Sequence, residues 1–192
     1  MAKPVAAPRG EKVTSNAARA PMREVSSSAK YMGYATVDEL DAGAQIIMTG
    51  SPTEDFLNRK HVETRYPDGT SQDFYTLTSV QVDKIIKKPT DLKLEVGQSF
   101  QIIEPVGIIG EEVNGGGKKI INRKAGYQEM KKDKKYIIFL KSNGLGGFSV
   151  INMNEGKFNL DGTDPDDLGK EHTEKKEKLK KEVLSKYADK LK

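Results

Sequence analysis

The chain contains no cysteine and no tryptophan, and only two of its 192 residues are histidine. Disulfides, thiol nucleophiles and cysteine-ligated metals are therefore excluded. The histidines, His61 and His172, stand in separate polar segments. A histidine-centred metal site or a Ser-His-Asp triad needs such a residue in a cleft with oriented partners, so both read as solvated surface groups. Long apolar runs are missing too: none approaches the ~18 residues that cross a bilayer. The N-terminus carries Lys3 and Arg9 without the ~7–15-residue apolar stretch of a secretory leader. The expectation is a chain that either stays inside the cell or begins after a removed leader.

Apolar residues make up 35% of the sequence, below the roughly 45–50% of typical globular domains. The polar surplus sits at the ends. Residues 1–30 hold six Lys/Arg against two Glu, and residues 170–192 hold nine Lys against five acids. The remaining 139 residues hold 17 basic and 21 acidic groups, so the formal +4 belongs to the termini. A basic balance distributed this way argues against reading the chain as a nucleic-acid binder on charge alone.

Residues 1–30, rich in Ala, Pro and Ser, are expected to be a flexible basic arm. Thr36–Ala42 reads as a short helical turn, with Thr36 as cap and Glu39 at capping-box spacing. Ala44–Gly50 is strand-like, and residues 55–69 form a polar insert ending in a Tyr66-Pro67-Asp68-Gly69 turn. Asp73–Ile86 is the clearest strand, long enough to curve. Phe74, Thr76, Thr78, Val80 and Val82 fall on one face, with Tyr75, Leu77, Ser79 and Gln81 on the other. Further strands are expected at Ser99–Ile103, Lys118–Asn122, Tyr136–Lys141, Phe148–Asn152 and Lys157–Leu160. The pair around Asn143-Gly144-Leu145-Gly146-Gly147 is a hairpin. Residues 161–169 read as an acidic linker and 170–192 as a charged amphipathic helix. That helix packs on its own barrel, pairs with another helix, or extends freely. Strands without crossover helices predict a mainly β chain: a small five- to six-stranded antiparallel OB-like barrel over 31–160 with a C-terminal α-helix.

The succession "DELDAGAQIIMTGSP", "FYTLTSVQVDKIIKKP", "LEVGQSFQIIEP", "MKKDKKYIIFLKSNGLGGFSVIN" and "EGKFNL" resembles a widespread group of extracytoplasmic β-barrel domains. These occur mainly in Gram-positive lipoproteins and are similar in plan to the netrin/tissue-inhibitor-of-metalloprotease OB-folds. The resemblance covers roughly two-thirds of the chain. It implies a barrel and an extracytoplasmic location; a non-catalytic binding module is expected from the barrel pattern together with the want of a catalytic constellation. The inhibitors of that plan reach a protease zinc through an N-terminal cysteine, which this chain lacks, so that activity is not implied.

Motifs of catalysis fail one by one. Gly115-Gly116-Gly117-Lys118-Lys119 lacks the earlier glycine and the closing Ser/Thr of a phosphate loop, and Gly144, Gly146 and Gly147 complete no dinucleotide fingerprint. Asp161, Asp164, Asp166 and Asp167 do not follow the EF-hand order, since Leu168 takes a ligand position. Glu111-Glu112 stand in a Gly-rich loop without apolar walls to raise a carboxyl pKa. No enzyme activity, metal or cofactor is expected. One constellation remains. Residues 113–135 hold eight Lys/Arg against two acids, and Lys118, Lys119, Arg123, Lys124, Tyr127, Lys131 and Lys132 are the candidate contacts for an anionic polymer. The expected partner is a protein or an anionic cell-wall polymer. The alternative is an intracellular OB-type nucleic-acid binder using the basic 118–135 segment, where cations follow the backbone and an aromatic stacks on a base.

Overall fold

The computed structural model describes residues 22–27, 33–111, 118–169 and 173–192. His172, Glu112, Gly115–Gly117 and most of the expected arm lie outside them.

Local chemistry sets the first element. Thr36 Oγ1 accepts from the Glu39 N–H at 3.3 Å, while the Glu39 carboxylate accepts from the backbone N–H of Thr36 at 3.4 Å. This capping box starts α1 (Val37–Gly43), which buries Leu40. The chain then enters β2 (Ile46–Pro52), nearly all of which is buried.

The long strand is β4 (Ser71–Lys87). Phe74, Thr76, Thr78, Val80 and Val82 are all buried, and Tyr75, Leu77 and Ser79 are half-exposed, so the alternation read from the sequence is the alternation of the fold. β4 pairs antiparallel with β2, with irregularities at Ile47/Met48 and Thr49/Gly50 that bend it. On its other side it pairs with β5 (Ser99–Glu104). β8 (Tyr136–Ser142) pairs with β2, and its hairpin partner β9 (Phe148–Val150) runs parallel to β5. The ring β8-β2-β4-β5-β9-β8 closes a five-stranded barrel, with strand order 1-2-3-5-4-1 in barrel terms. Closure removes the free edges an open sheet would carry. Inside lie Ile46, Met48, Val80, Val82, Ile102, Ile138 and Leu140.

The sequence reading missed three strands. β3 (Lys60–Arg65) lies in the polar insert and pairs with the first half of β4. β6 (Val106–Glu111) follows Pro105 directly and is broken up by glycines, so it carries no alternation. β1 (Arg23–Ser27) falls inside the expected arm and pairs parallel with β7 (Lys118–Lys124). A strand as polar as Arg-Glu-Val-Ser-Ser has no apolar period to announce it; its partner supplies the reason to form. The β1-β7-β6 sheet stands where an OB barrel connects its third and fourth strands, and packs Val25, Ile109 and Ile120 around Phe74.

β10 (Lys157–Asn159) extends the barrel beside β8. The C-terminal segment divides at Tyr187 into α2 (Thr173–Lys186) and the short α3 (Ala188–Leu191), instead of one continuous helix. Of the three arrangements expected for it, the first holds: Leu179, Val183 and Tyr187 pack on Leu40, Ile137, Phe139 and Phe158 of its own chain. No described helix is long and apolar enough to cross a membrane.

A polar pin crosses the apolar interior. Arg59, just before β3, and Glu104, at the end of β5, pair at 2.9 Å with both side chains fully buried. All five guanidinium N–H groups find acceptors. Nε and Nη2 donate to the Glu54 carbonyl, Nη2 also to the Met130 carbonyl, and Nη1 to Glu104 and Thr78. Glu104 is equally saturated. Oε1 accepts from Arg59 and, at 2.5 Å, from the Thr78 hydroxyl; Oε2 accepts from the Tyr127 hydroxyl at 2.8 Å and the Met130 N–H at 2.9 Å. Removing one member of such a pair strands a buried charge, which costs about 3–5 kcal/mol. Glu104→Gln should lose that much in equilibrium denaturation. Tyr127→Phe, which deletes one of four donors, should lose only about 1–2 kcal/mol. Equal losses would show that Arg59 is not the partner that matters.

Candidate binding groove

One face of the β1-β7 ribbon looks across a gap, with Ile121 packed against the barrel core. Glu24, Ile121 and Arg123 line it, facing the segment Asp55–Asn58 on one side and residues 129–132 on the other. Between them is an open groove of about 520 Å³. Phe56, Leu57, Ile121 and Met130 give it an apolar lining, with Leu57 44% exposed. Charges of both signs surround them: Glu24 and Asp55, then Arg123, Lys131 and Lys132.

Most of these charges are already spoken for. Glu129 is buried and holds Arg123 Nη1 in a short contact, and its other oxygen accepts from Lys131 at 2.7 Å. Arg123 also donates to the Tyr127 carbonyl at 3.2 Å and reaches Glu24 at 3.5 Å. Burial alone would raise the Glu129 carboxyl, but the hydrogen bond and charge of Arg123, followed by Lys131, hold it down at about 2.

The candidate contacts read from the sequence fall into three groups. Arg123, Lys131 and Lys132 border the groove. Lys124 lies outside it, paired with Asp73 and placed 5.1 Å from the Phe74 ring centroid. Lys119 is exposed on β7, and the Lys118 side chain lies outside what is described. Tyr127 does not belong to the surface. It is fully buried, and burial together with the Glu104 carboxylate raises its phenol well above the ordinary value. A stacking platform needs an exposed ring face, so the sequence reading of Tyr127 is corrected by its role in the pin. Among the described residues, Lys119 and Lys132 are the members of this set with no described ion-pair partner.

His61 lies under the barrel rim, half-buried rather than solvated. Thr76 spends its one hydroxyl proton on the Val106 carbonyl at 2.6 Å, so His61 Nδ1, 2.8 Å away, must be the donor in their contact. Burial lowers its pKa, and the charges of Arg59 and Lys119 add to this, against an opposing contact from the Phe56 carbonyl. Among the described residues, no three His, Cys, Asp or Glu side chains gather in a way that holds a metal ion.

The groove's apolar residues escaped the sequence reading, although Phe56-Leu57, an apolar pair inside a polar insert, was a usable signal. Glu24 gave none, since its position depends on β1 finding β7.

A carboxylate held low in the folded state stabilises the fold above its unfolded value, and that stability is lost as pH falls towards the folded value. Glu129 should therefore contribute on the order of 3 kcal/mol at neutral pH that disappears between about pH 4.5 and 2. Glu129→Gln should flatten this acid limb in unfolding curves taken across that range. An unchanged limb would remove Glu129 from the account.

Comparisons with protein-family models, with curated proteins and with solved structures find nothing that matches this chain.

Proposed function

We propose that the chain is a non-catalytic binding module that holds an extended polypeptide segment in the groove between the β1-β7 ribbon and the barrel. The observation that carries this reading is the lining of the groove. Apolar residues share the lining with charged residues of both signs, and no one sign dominates. A polyanion asks for uncompensated cations, and here Arg123, Lys124 and Lys131 are bound to carboxylates. A peptide with an apolar anchor and charges of both signs matches the surface better. β1 also borders the groove through Glu24, and among the described residues it pairs only with β7. The charged groups of the interior support a binding role over a catalytic one, because Arg59 and Glu104 spend their hydrogen-bonding capacity on each other and on the fold.

The finer likeness to netrin-type lipoprotein barrels, and the extracytoplasmic setting it implies, belong to this proposal. They rest on the strand motifs of residues 36–160.

The test is selection of displayed random peptides on the immobilised chain, with Leu57→Asp and Lys132→Glu as counter-targets. Peptides with one large apolar residue flanked by charges should be enriched, and both substitutions should weaken them about tenfold or more, the effect of losing one buried anchor. No enrichment, or peptides indifferent to Leu57→Asp, would overturn the reading.

A further inference from the structure

The C-terminal helix is docked through a buried charge cluster that does not balance. Asp167 Oδ1 lies 3.0 Å from Lys176 Nζ of α2 and 3.4 Å from Lys157 Nζ of β10. Its Oδ2 lies 3.3 Å from Lys180 Nζ and accepts the Asn159 N–H at 3.0 Å. Lys157 and Lys176 are 0% and 1% exposed. One carboxylate neutralises one ammonium, and a second ammonium beside the same oxygen, away from water, is an uncompensated buried charge.

The other charged groups around α2 are occupied elsewhere. Glu155 takes Lys175 at 2.7 Å, and Asp38 and Asp41 of α1 take Lys186 at 2.7 and 3.1 Å. Glu182 accepts from the Val37 N–H, and Asp164 accepts from the Tyr136 hydroxyl. Among the described residues, no second carboxylate pairs with the two buried amines.

We propose that α2 is a proton-operated latch, docked with Lys176 as a neutral amine and taking up one proton at that nitrogen on release. The hydrogen bonding fits a neutral amine. Its two protons meet two oxygens, Asp167 Oδ1 and the Asp167 carbonyl, and its nitrogen lies 5.6 Å from the Phe158 ring centroid, with the amines of Lys157 and Lys180 on the same carboxylate. Burial pushes the Lys176 ammonium well below its ordinary value. The charge of Lys157 pushes the same way and Asp167 opposes. Burial alone would raise the Asp167 carboxyl, but the charge of Lys157 and the hydrogen bond from the Asn159 N–H, neither of which depends on the state of Lys176, act to keep it ionised.

In the released helix Lys176 regains its ordinary affinity for protons. Release is then favoured as pH falls from the ordinary lysine value towards the docked one. What it uncovers is the strip of Leu40, Ile137, Phe139 and Phe158 beneath Leu179 and Val183. A cover that lifts on acidification, baring an apolar face, is a way to make a second contact conditional on pH.

Hydrogen exchange of the α2 amides in the full chain, corrected for intrinsic rate and referenced to β8, tests this. The α2 opening constant should rise about tenfold for each pH unit lowered below the ordinary lysine value, one proton per opening, while β8 stays closed. Lys176→Met should abolish the slope and leave the helix docked. Opening of α2 only together with β8, or an equal slope in Lys176→Met, overturns the latch. If that substitution undocks the helix, the Cε chemical shift of Lys176 in the unsubstituted chain decides. A neutral-amine shift at about pH 8 supports the proposal and an ammonium shift sinks it.

Discussion

The Arg59–Glu104 pair is the constraint around which the rest is arranged. A guanidinium and a carboxylate in an apolar interior are tolerable only when every donor and acceptor is matched. Matching them recruits distant parts of the chain: the Glu54 carbonyl from just before the insert that carries Arg59, Thr78 from the long strand, and Tyr127 and Met130 from the segment after β7. The insert and the 127–130 segment are thereby fixed against the barrel. They are also the two walls of the groove. The pin therefore links the fold to the candidate site, since the walls are placed by buried hydrogen bonds and not by their own local preferences.

A second cluster works the other way. Around Asp167 the charges do not cancel, and the mismatch lies at the seam between the barrel and its C-terminal helix. The two clusters touch through aromatic rings. Lys157 Nζ sits 5.5 and 5.3 Å from the ring centroids of Tyr127 and Tyr136, whose hydroxyls meet Glu104 and Asp164. The saturated pin suits a rigid scaffold, and the unbalanced seam suits a part that moves. The groove and the latch thus have different physical characters within one small domain.

Charge in the sequence and charge in space differ here. The run from residue 113 to 135 reads as a basic patch, but folding draws Glu129, Asp73, Glu24 and Asp83 onto its cations. At the groove the run's own Glu129, together with Glu24 and Asp55 brought from elsewhere in the chain, offsets Arg123, Lys131 and Lys132. This shifts the functional reading from a polyanion to a mixed-charge polypeptide. Tyr127 shows the same effect, since its neighbours in sequence are Gly126 and Gln128 and its neighbours in space are Glu104 and Lys157.

The sequence by itself determined the barrel's strands, because burial on one side of a pleated sheet imposes a period of two. Phe74 to Val82 on β4 carries that period openly, whereas Tyr136–Leu140 is apolar throughout and buried throughout, and is marked by its apolar run and the glycine turn after it. It also determined the capped start of α1 and the apolar stripe of α2, whose signals are local. Only the tertiary structure decided where β1, β3 and β6 form, since polar or glycine-broken segments become strands when a neighbour offers an edge. It alone decided that Asp164 and Asp167, which read as a solvated acidic linker, are buried. The reason is the same in each case. A single polar residue records nothing in the sequence about its partner, and ion pairs such as Arg59 with Glu104, or Asp167 with two lysines, exist only when the chain has closed around them.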